Sequence, residues 1–501
     1  MNNIAIFLSL FPFLVFLYLL FIKKLDLIWA SVITLLIYTF LAVFYWQIIP
    51  LFLYTSYGKG FLIALDIFFI IFGAVFFLEI LKDLKIIKNI SYFLENFSKD
   101  FRIQIIVIAW LFENLLEGTA GFGTAGAIAV PLLIGIGLSP IKSLVIGLLG
   151  NSTAVVFGAA GTPIRVGFAG LSTVTVPLIA SLLNLVGIII PIFMLWIITK
   201  GRPNHKKEFL EALPFAIWAG VAFTLPSILF VSLGQEFPSI LGSVTGLILV
   251  IITTKLGIFV PKNNFILKDE NEITTHTMNP FKAFSPYILL ITFLILGKMI
   301  LGKIGIPIHL GFNYTFSLFN PGFIFIITGI IVALFWKSNK SIFSKSIIVS
   351  LKSAINPFIV IVSMSAIVQI MLLSGNNLSG LPAAIFLIAK GFETSLLPFF
   401  APFIGAFGSF ITGSATVSNI MFGNFFNTTA LDLGFNSEII LALGVTGAAA
   451  GNMIALSDIL SAEAVTNVKN SETHIIKGVI IPCLTYLFIL GIIGIIIIKG
   501  K

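Results

Sequence analysis

Glu113-Asn114-Leu115-Leu116-Glu117-Gly118-Thr119-Ala120-Gly121-Phe122-Gly123-Thr124-Ala125-Gly126 places two carboxylates and four glycines inside an otherwise apolar region. Backbone can turn within hydrocarbon only where protein, water or ligand satisfies its N–H and C=O groups. The stretch therefore reads as a re-entrant hairpin lining a cavity, with helix N-terminal amides at its tip suited to a carboxylate. The same letters form a G-x-G-x-x-G at Gly121, Gly123 and Gly126, but with no preceding strand and no βαβ unit the match is accidental.

Lipid as the solvent follows from the bulk sequence. Of 501 residues 58% are hydrophobic and 10% charged, a balance that cannot clothe a water-soluble globule. Apolar runs of the length that crosses about 30 Å of hydrocarbon recur along the chain. The clearest are 4–22, 27–47, 61–81, 176–198, 215–233, 240–260, 285–301, 323–336, 356–373 and 478–498. Two further apolar regions, near 103–170 and 395–465, are broken by Gly, Ser, Thr and Asn. The expected fold is an all-α polytopic membrane protein with about 12 to 14 transmembrane segments.

A net charge of +9 raises the question of nucleic acid, but Lys and Arg sit in short loops and form no single patch, so no nucleic-acid partner is expected. They encode orientation instead, placing 23–26, 82–102, 200–207, 255–282 and 337–352 in the cytoplasm and the loops near Tyr54 and Gln235 outside. The first segment lacks a basic leader and a cleavage site and reads as a retained span. Cys483 is the single cysteine and the four histidines lack ligand spacing, so neither a metal site nor a cofactor is expected.

The two irregular regions superimpose at one offset. Gly118 falls on Gly408 (408 − 118 = 290), Gly123-Thr124-Ala125 on Gly413-Ser414-Ala415, Ala159-Ala160-Gly161 on Ala449-Ala450-Gly451, and Ile164 on Ile454. The spans preceding the two regions run in opposite directions across the membrane, which makes the pattern an inverted repeat, provided that 376–393 lies along the outer surface as an interfacial helix. Inverted repeats with broken helices are how secondary transporters build a site that either face can open. The expected organisation is an elevator-type carrier: scaffold spans 1–102, a transport unit over 103–200, linking spans and a cytoplasmic loop over 201–283, scaffold spans 284–393 and the second half of the transport unit over 394–501. No Walker-type loop is present, so ATP is not the direct energy source.

Four clusters are candidates for a solute site: Thr119, Gly121, Gly123 and Thr124 in the first hairpin; Asn151, Ser152, Thr153, Gly161, Thr162 and Arg165 along a helix interrupted at Gly161 to Pro163; Thr412, Gly413, Ser414, Thr416, Ser418 and Asn419 in the second hairpin; and Asn452 in a second broken helix formed by Gly444 to Gly447, Gly451-Asn452 and Ser457-Asp458. Taken singly, each glycine reads as a helix-packing residue. Together, at equivalent places in two halves, they read as a substrate site. Glu117 is the leading proton-coupling candidate, because a desolvated carboxyl favours its neutral form, and Asp458 is the second. Arg165 reads either as a partner for a substrate carboxylate or as an anchor at the membrane edge, with Asp458 and Glu463 as alternative structural partners. Glu113 reads as pointing to a water-filled surface.

These residues resemble the L-lactate permease family of bacterial 2-hydroxy-acid transporters. The resemblance rests on Leu116 to Thr124, Gly137-Leu138-Ser139-Pro140, Asn151-Ser152-Thr153, Phe157 to Ile164, Phe410 to Ser414 with Ser418-Asn419, and Gly451 to Ile454, and it covers nearly the whole chain. It implies import of lactate, glycolate or a related small 2-hydroxy monocarboxylate by proton symport in the inner (plasma) membrane. The family pattern has Asp where this chain has Ala415, Lys where it has Asn452 and Pro-Gln where it has Leu456-Ser457, whereas Glu113, Arg165, Asp458 and Glu463 occupy places usually uncharged. A sodium-coupled carrier of another carboxylate or dicarboxylate, and an anion channel, are the alternatives. An enzyme is not expected, and an exposed apolar scaffold face would suit a homodimer.

Overall fold

The computed structural model describes residues 3–95, 97–121, 124–267, 279–391, 394–455, 458–459, 463 and 471–499. Among them nine helices are long and apolar enough to cross a membrane, or ten when the bent pair Pro140–Gly150 and Thr153–Arg165 is taken as one span. The chain is a mostly helical, multi-pass membrane protein. The number falls short of the 12 to 14 expected because Ile4–Leu20, Pro321–Phe335 and Leu397–Thr412 are apolar but shorter than a full crossing.

Helix starts follow local chemistry. Pro50, Pro140, Pro238, Pro280 and Pro321 stand in the first helical turn, where a missing N–H costs nothing. Asn279 and Asn320 cap their helices by accepting the Phe281 and Gly322 amides. Longest of all are Pro50–Asp83 and Lys340–Leu373, 34 residues each, whose first and last residues are both 290 apart (340 − 50 and 373 − 83). They run antiparallel: Lys345 pairs with Asp83 at 3.1 Å at one end, and the Ile49 amide donates to the Asn376 carbonyl at the other. Small residues permit close approach, with Gly60 against the Ala366 backbone and Gly73 against Gly322.

Two expectations are corrected, and one short strand pair accompanies the helices: Gly305–His309 pairs antiparallel with Asn313–Ser317, turning at Gly311 (φ +72). Alternating aromatic and β-branched residues favour this hairpin, and it packs Phe312 against Tyr54 with ring centroids 6.2 Å apart. The basic stretch 337–352 is not all loop, since the helix begins at Lys340 and exposes Lys345 and Lys352 in its first half. The surface helix expected over 376–393 is reduced to Ala384–Gly391.

The base of the first irregular region is fixed by charge. Arg102 is fully buried, bonds to Asp100 at 2.6 Å and donates to the carbonyls of Glu208 and Asn263, so that the linking spans hold the chain where it enters the fold. The second linking span, Pro238–Lys255, continues this contact: the Ser239 hydroxyl donates to the Ala154 carbonyl at 2.7 Å.

Candidate functional site

The first irregular region enters as Phe101–Ile106, widens into a π turn over Val107–Phe112, and continues as the short helix Glu113–Thr119. It stops at Gly121 (φ +60), and the chain resumes as the helix Thr124–Gly135. Gly121 packs directly on Ala159, so the end of this helix meets the break in the next span. That span leads in as Pro140–Gly150, changes direction by 41° and continues through a tight turn at Thr153–Phe157. Ala159 (φ 42), Ala160 (φ 53) and Gly161 (φ 79) then form a left-handed turn before Thr162 to Arg165 return to helix. Two alanines in this region cost about 1–2 kcal/mol each, a strain that is concentrated at functional sites. Thr162 closes the turn by donating to the Ala159 carbonyl at 2.6 Å.

The second irregular region is simpler. Leu397–Thr412 ends at Gly413 (φ 67), and Ser414 caps Ala415–Asp432 by accepting the Val417 amide. The Ser418 hydroxyl donates to the Gly405 carbonyl at 2.8 Å, which binds the two legs of the hairpin together. The following helix, Ser437–Gly451, is continuous, and its break falls at Asn452–Ile454. Of the stretches expected to form the second broken helix, Gly451-Asn452 carries the break, Ser457 lies outside the described residues, and Gly444 and Gly447 stay within the helix. These glycines are packing positions, where added methyls would collide with Phe426 and with the Pro402 carbonyl.

Both hairpins and both breaks meet around one small cavity of about 20 Å³, walled by Glu117, Gly121, Gly158, Ala159 and Pro163 from the first half and by Gly413, Ser414, Ala415, Thr416 and Asn452 from the second. It has room for about one water. Glu117 reaches it because Gly158 has no side chain: a Cβ there would lie 2.6 Å from the Glu117 carboxylate. A wider cavity of about 490 Å³ shares Gly413 and Ser414 with it and extends past Thr412 and Asp458 to Asn356, Pro357 and Asp26. Across the halves, Asn419 donates to the Pro163 carbonyl at 2.9 Å and Asn151 to Asp458 at 3.2 Å. The buried side-chain oxygens Glu117 Oε2, Asn151 Oδ1, Asn419 Oδ1 and Asn452 Oδ1 have no hydrogen-bond partner among the described residues. Among the described residues lining the small cavity none is Lys or Arg, so although Ser414, Thr416 and Asn452 can donate hydrogen bonds, no side chain there brings a positive charge.

Of the expected site residues, Glu117, Gly121, Gly413, Ser414, Thr416 and Asn452 line the small cavity, and Thr412 and Asp458 line the wide one. Asn151, Ser418 and Asn419 act one step back as described. Thr119 and Ser152 spend their hydroxyls on their own helices, the Thr153 carbonyl is held by Asn184, and Gly161 packs under the Gln235 carbonyl. Gly123 lies outside the described residues, as does the side chain of Thr124. Glu113 is corrected: it is fully buried.

Arg165 lies apart from both cavity walls. Its guanidinium pairs with Asp66 at 3.3 Å, a partner other than the expected Asp458 and Glu463. Asp66 also accepts from Asn320 at 2.8 Å, and Phe319 lies between Arg165 and Lys298, the latter paired with Glu236 at 2.8 Å. Sequence reasoning missed Asp66, although a carboxylate in the middle of the apolar run 61–81 is the kind of signal that marks a functional position.

A profile of the L-lactate permease family matches residues 5–305 and 300–499. A putative L-lactate permease of Haemophilus influenzae is 30% identical over 83% of this chain and 84% of its own length. A glycolate permease of Escherichia coli is 26% identical over 93% and 90%, and an L-lactate permease of Bacillus subtilis 26% identical over 79% and 78%. With a match spanning both hairpins and both breaks, this chain belongs to the L-lactate permease family.

Proposed function

We propose that the chain is a cation-coupled importer of lactate, glycolate or a related small 2-hydroxy monocarboxylate in the inner membrane, with Glu117 as the proton-carrying group. The observation that carries this reading is the convergence of two hairpin tips and two helix breaks on one buried cavity. The names of the relatives supply the substrate class. An anion entering a cavity whose lining side chains carry no positive charge has two sources of it. One is the amide end of the helix starting at Ala415; the other is a cation travelling with it. Asp458 faces the wide cavity and is placed to pass that cation inward.

Two inverted repeats supply the movement in this reading, supported by the 290-residue spacing of the long antiparallel helices. Asp66 and Asn356 are equivalent under that spacing (356 − 66 = 290). Asp66 is closed over by Arg165 and Asn320, whereas Asn356 lines the wide cavity together with Asp26. Asp26 follows the basic loop Lys23-Lys24 assigned to the cytoplasm, so we read the conformation as open inward and shut outward, with the Asp66–Arg165 pair as the outer closure. The rest of the organisation is the one proposed for the sequence: a transport unit of both hairpins and breaks shifting against the scaffold helices.

Uptake of labelled lactate and glycolate into proteoliposomes, with and without an imposed inward proton gradient, tests the reading. Accumulation driven by the gradient is expected. Saturable uptake that follows a sodium gradient and ignores pH would move the chain to the sodium-coupled alternative, and non-saturating downhill flux would make it a channel.

A further inference from the structure

Glu113 sits one helical turn before Glu117 and is fully buried. Among the described residues, neither of its carboxylate oxygens, nor either polar atom of the adjacent buried Asn114, has a hydrogen-bond partner. The space around the carboxylate is made by glycine: a Cβ on Gly150 would fall 2.5 Å from Oε2, and one on Gly126 would fall 3.7 Å from Oε1. The wide turn Val107–Phe112 ends at this residue, and π turns are rare and concentrated at functional sites. Three separate segments therefore enclose one carboxyl and offer it nothing to bind.

The charges around it are few. Glu117 acts on Glu113, and Asp458 acts on Glu117. The helix Thr124–Gly135 and the turn Thr153–Phe157 contain no titratable residue. Lys142, on Pro140–Gly150, donates to the Lys200 carbonyl near the start of its helix. Lys255 is the last residue of Pro238–Lys255, and Arg165 is taken by Asp66. No cation of the protein among the described residues is positioned to neutralise Glu113, and an ionised carboxylate enclosed without a partner is costly.

We propose that Glu113 is a second cation-loading site, taking up one monovalent cation, a proton or a sodium ion, in addition to the one carried at Glu117. The inference rests on the reading of the chain as a cation-coupled carboxylate carrier. Two cations entering with one monocarboxylate move one net positive charge inward per cycle, whereas one cation with one monocarboxylate moves none.

The test is uptake into proteoliposomes under a potassium diffusion potential set by valinomycin, without a pH gradient, and the reversal potential of the purified wild-type protein. Wild-type uptake is expected to rise several-fold with an inside-negative potential and to reverse at the value for two cations per substrate. In Glu113→Gln, uptake is expected to lose the response to potential while still following a pH gradient. Replacing sodium by choline identifies the ion: a response to potential that disappears assigns sodium, and one that persists assigns the proton. Electroneutral wild-type uptake overturns the inference while leaving the carrier intact, as does an undiminished response to potential in Glu113→Gln. If Glu113→Gln does not purify as a monodisperse species, the wild-type reversal potential alone decides. Absence of lactate or glycolate uptake under every gradient overturns the carrier reading beneath it.

Discussion

Glu117 gains its place at the cavity from a neighbour with no side chain, and Gly158 is consequently a sensitive position. Gly158→Ala is expected to push the carboxylate aside and reduce uptake at least tenfold, measured at saturating substrate in proteoliposomes. Glu117→Gln is expected to weaken the response of uptake to an imposed pH gradient; an undiminished response in that variant would show that Glu117 is not a coupling group. Asn419 has a different task, because its amide satisfies the Pro163 carbonyl across the two halves at 2.9 Å. Asn419→Ala leaves that buried acceptor without its donor, at a cost of about 1–3 kcal/mol, and a lower melting temperature in detergent is the expected result. Residue types alone singled out Glu117, Ser414 and Asn452, which line the shared small cavity. The partners of Arg165 were not legible, because an ion pair between positions 66 and 165 is set by how helices pack and leaves no mark of spacing in the sequence.

At the level of elements, the hairpins were readable because a glycine-rich polar run has few other roles within hydrocarbon. Which glycines of the fourth cluster flank its break was not legible, because glycine has two uses that look alike as letters: Gly444 and Gly447 admit Phe426 and Pro402, whereas Gly161 and Gly413 turn the chain. The Asp66–Arg165 contact joins the long helix Pro50–Asp83 to the end of a broken one, and it makes an accessibility prediction possible. Cys483 is buried and is the single cysteine of the sequence, so a Cys483→Ser background can carry one reporter. Thr412→Cys in that background is expected to react with a membrane-impermeant thiol reagent from the cytoplasmic face only. Adding Asp66→Asn is expected to open reaction from the outer face; unchanged sidedness would show that the pair does not hold the outer side shut.

For the molecule as a whole, a rigid unit sliding on a scaffold separates contacts that change from contacts that do not. Asp66 and Arg165 join the two proposed units, while Asp83 and Lys345 join the two long helices to each other. A bifunctional thiol cross-linker between cysteines at 66 and 165 is expected to arrest uptake, and one between cysteines at 83 and 345 to leave most of it. Equal arrest by both would argue against a scaffold that stays still. Membrane class and family were legible along the full length because they follow from hydropathy and from short polar runs. The β-hairpin at Gly305–Ser317 was not, since five-residue strands between two spans look like any loop.

The two longest helices have a further consequence for the surrounding lipid. At 34 residues each they measure about 51 Å along their axes, against about 30 Å of hydrocarbon. The excess must be absorbed by steep inclination, by overhang into the headgroups or by local thickening of the bilayer. Acyl chain length thereby becomes a mechanical load on the carrier, and membranes of different thickness would set different working speeds for the same polypeptide.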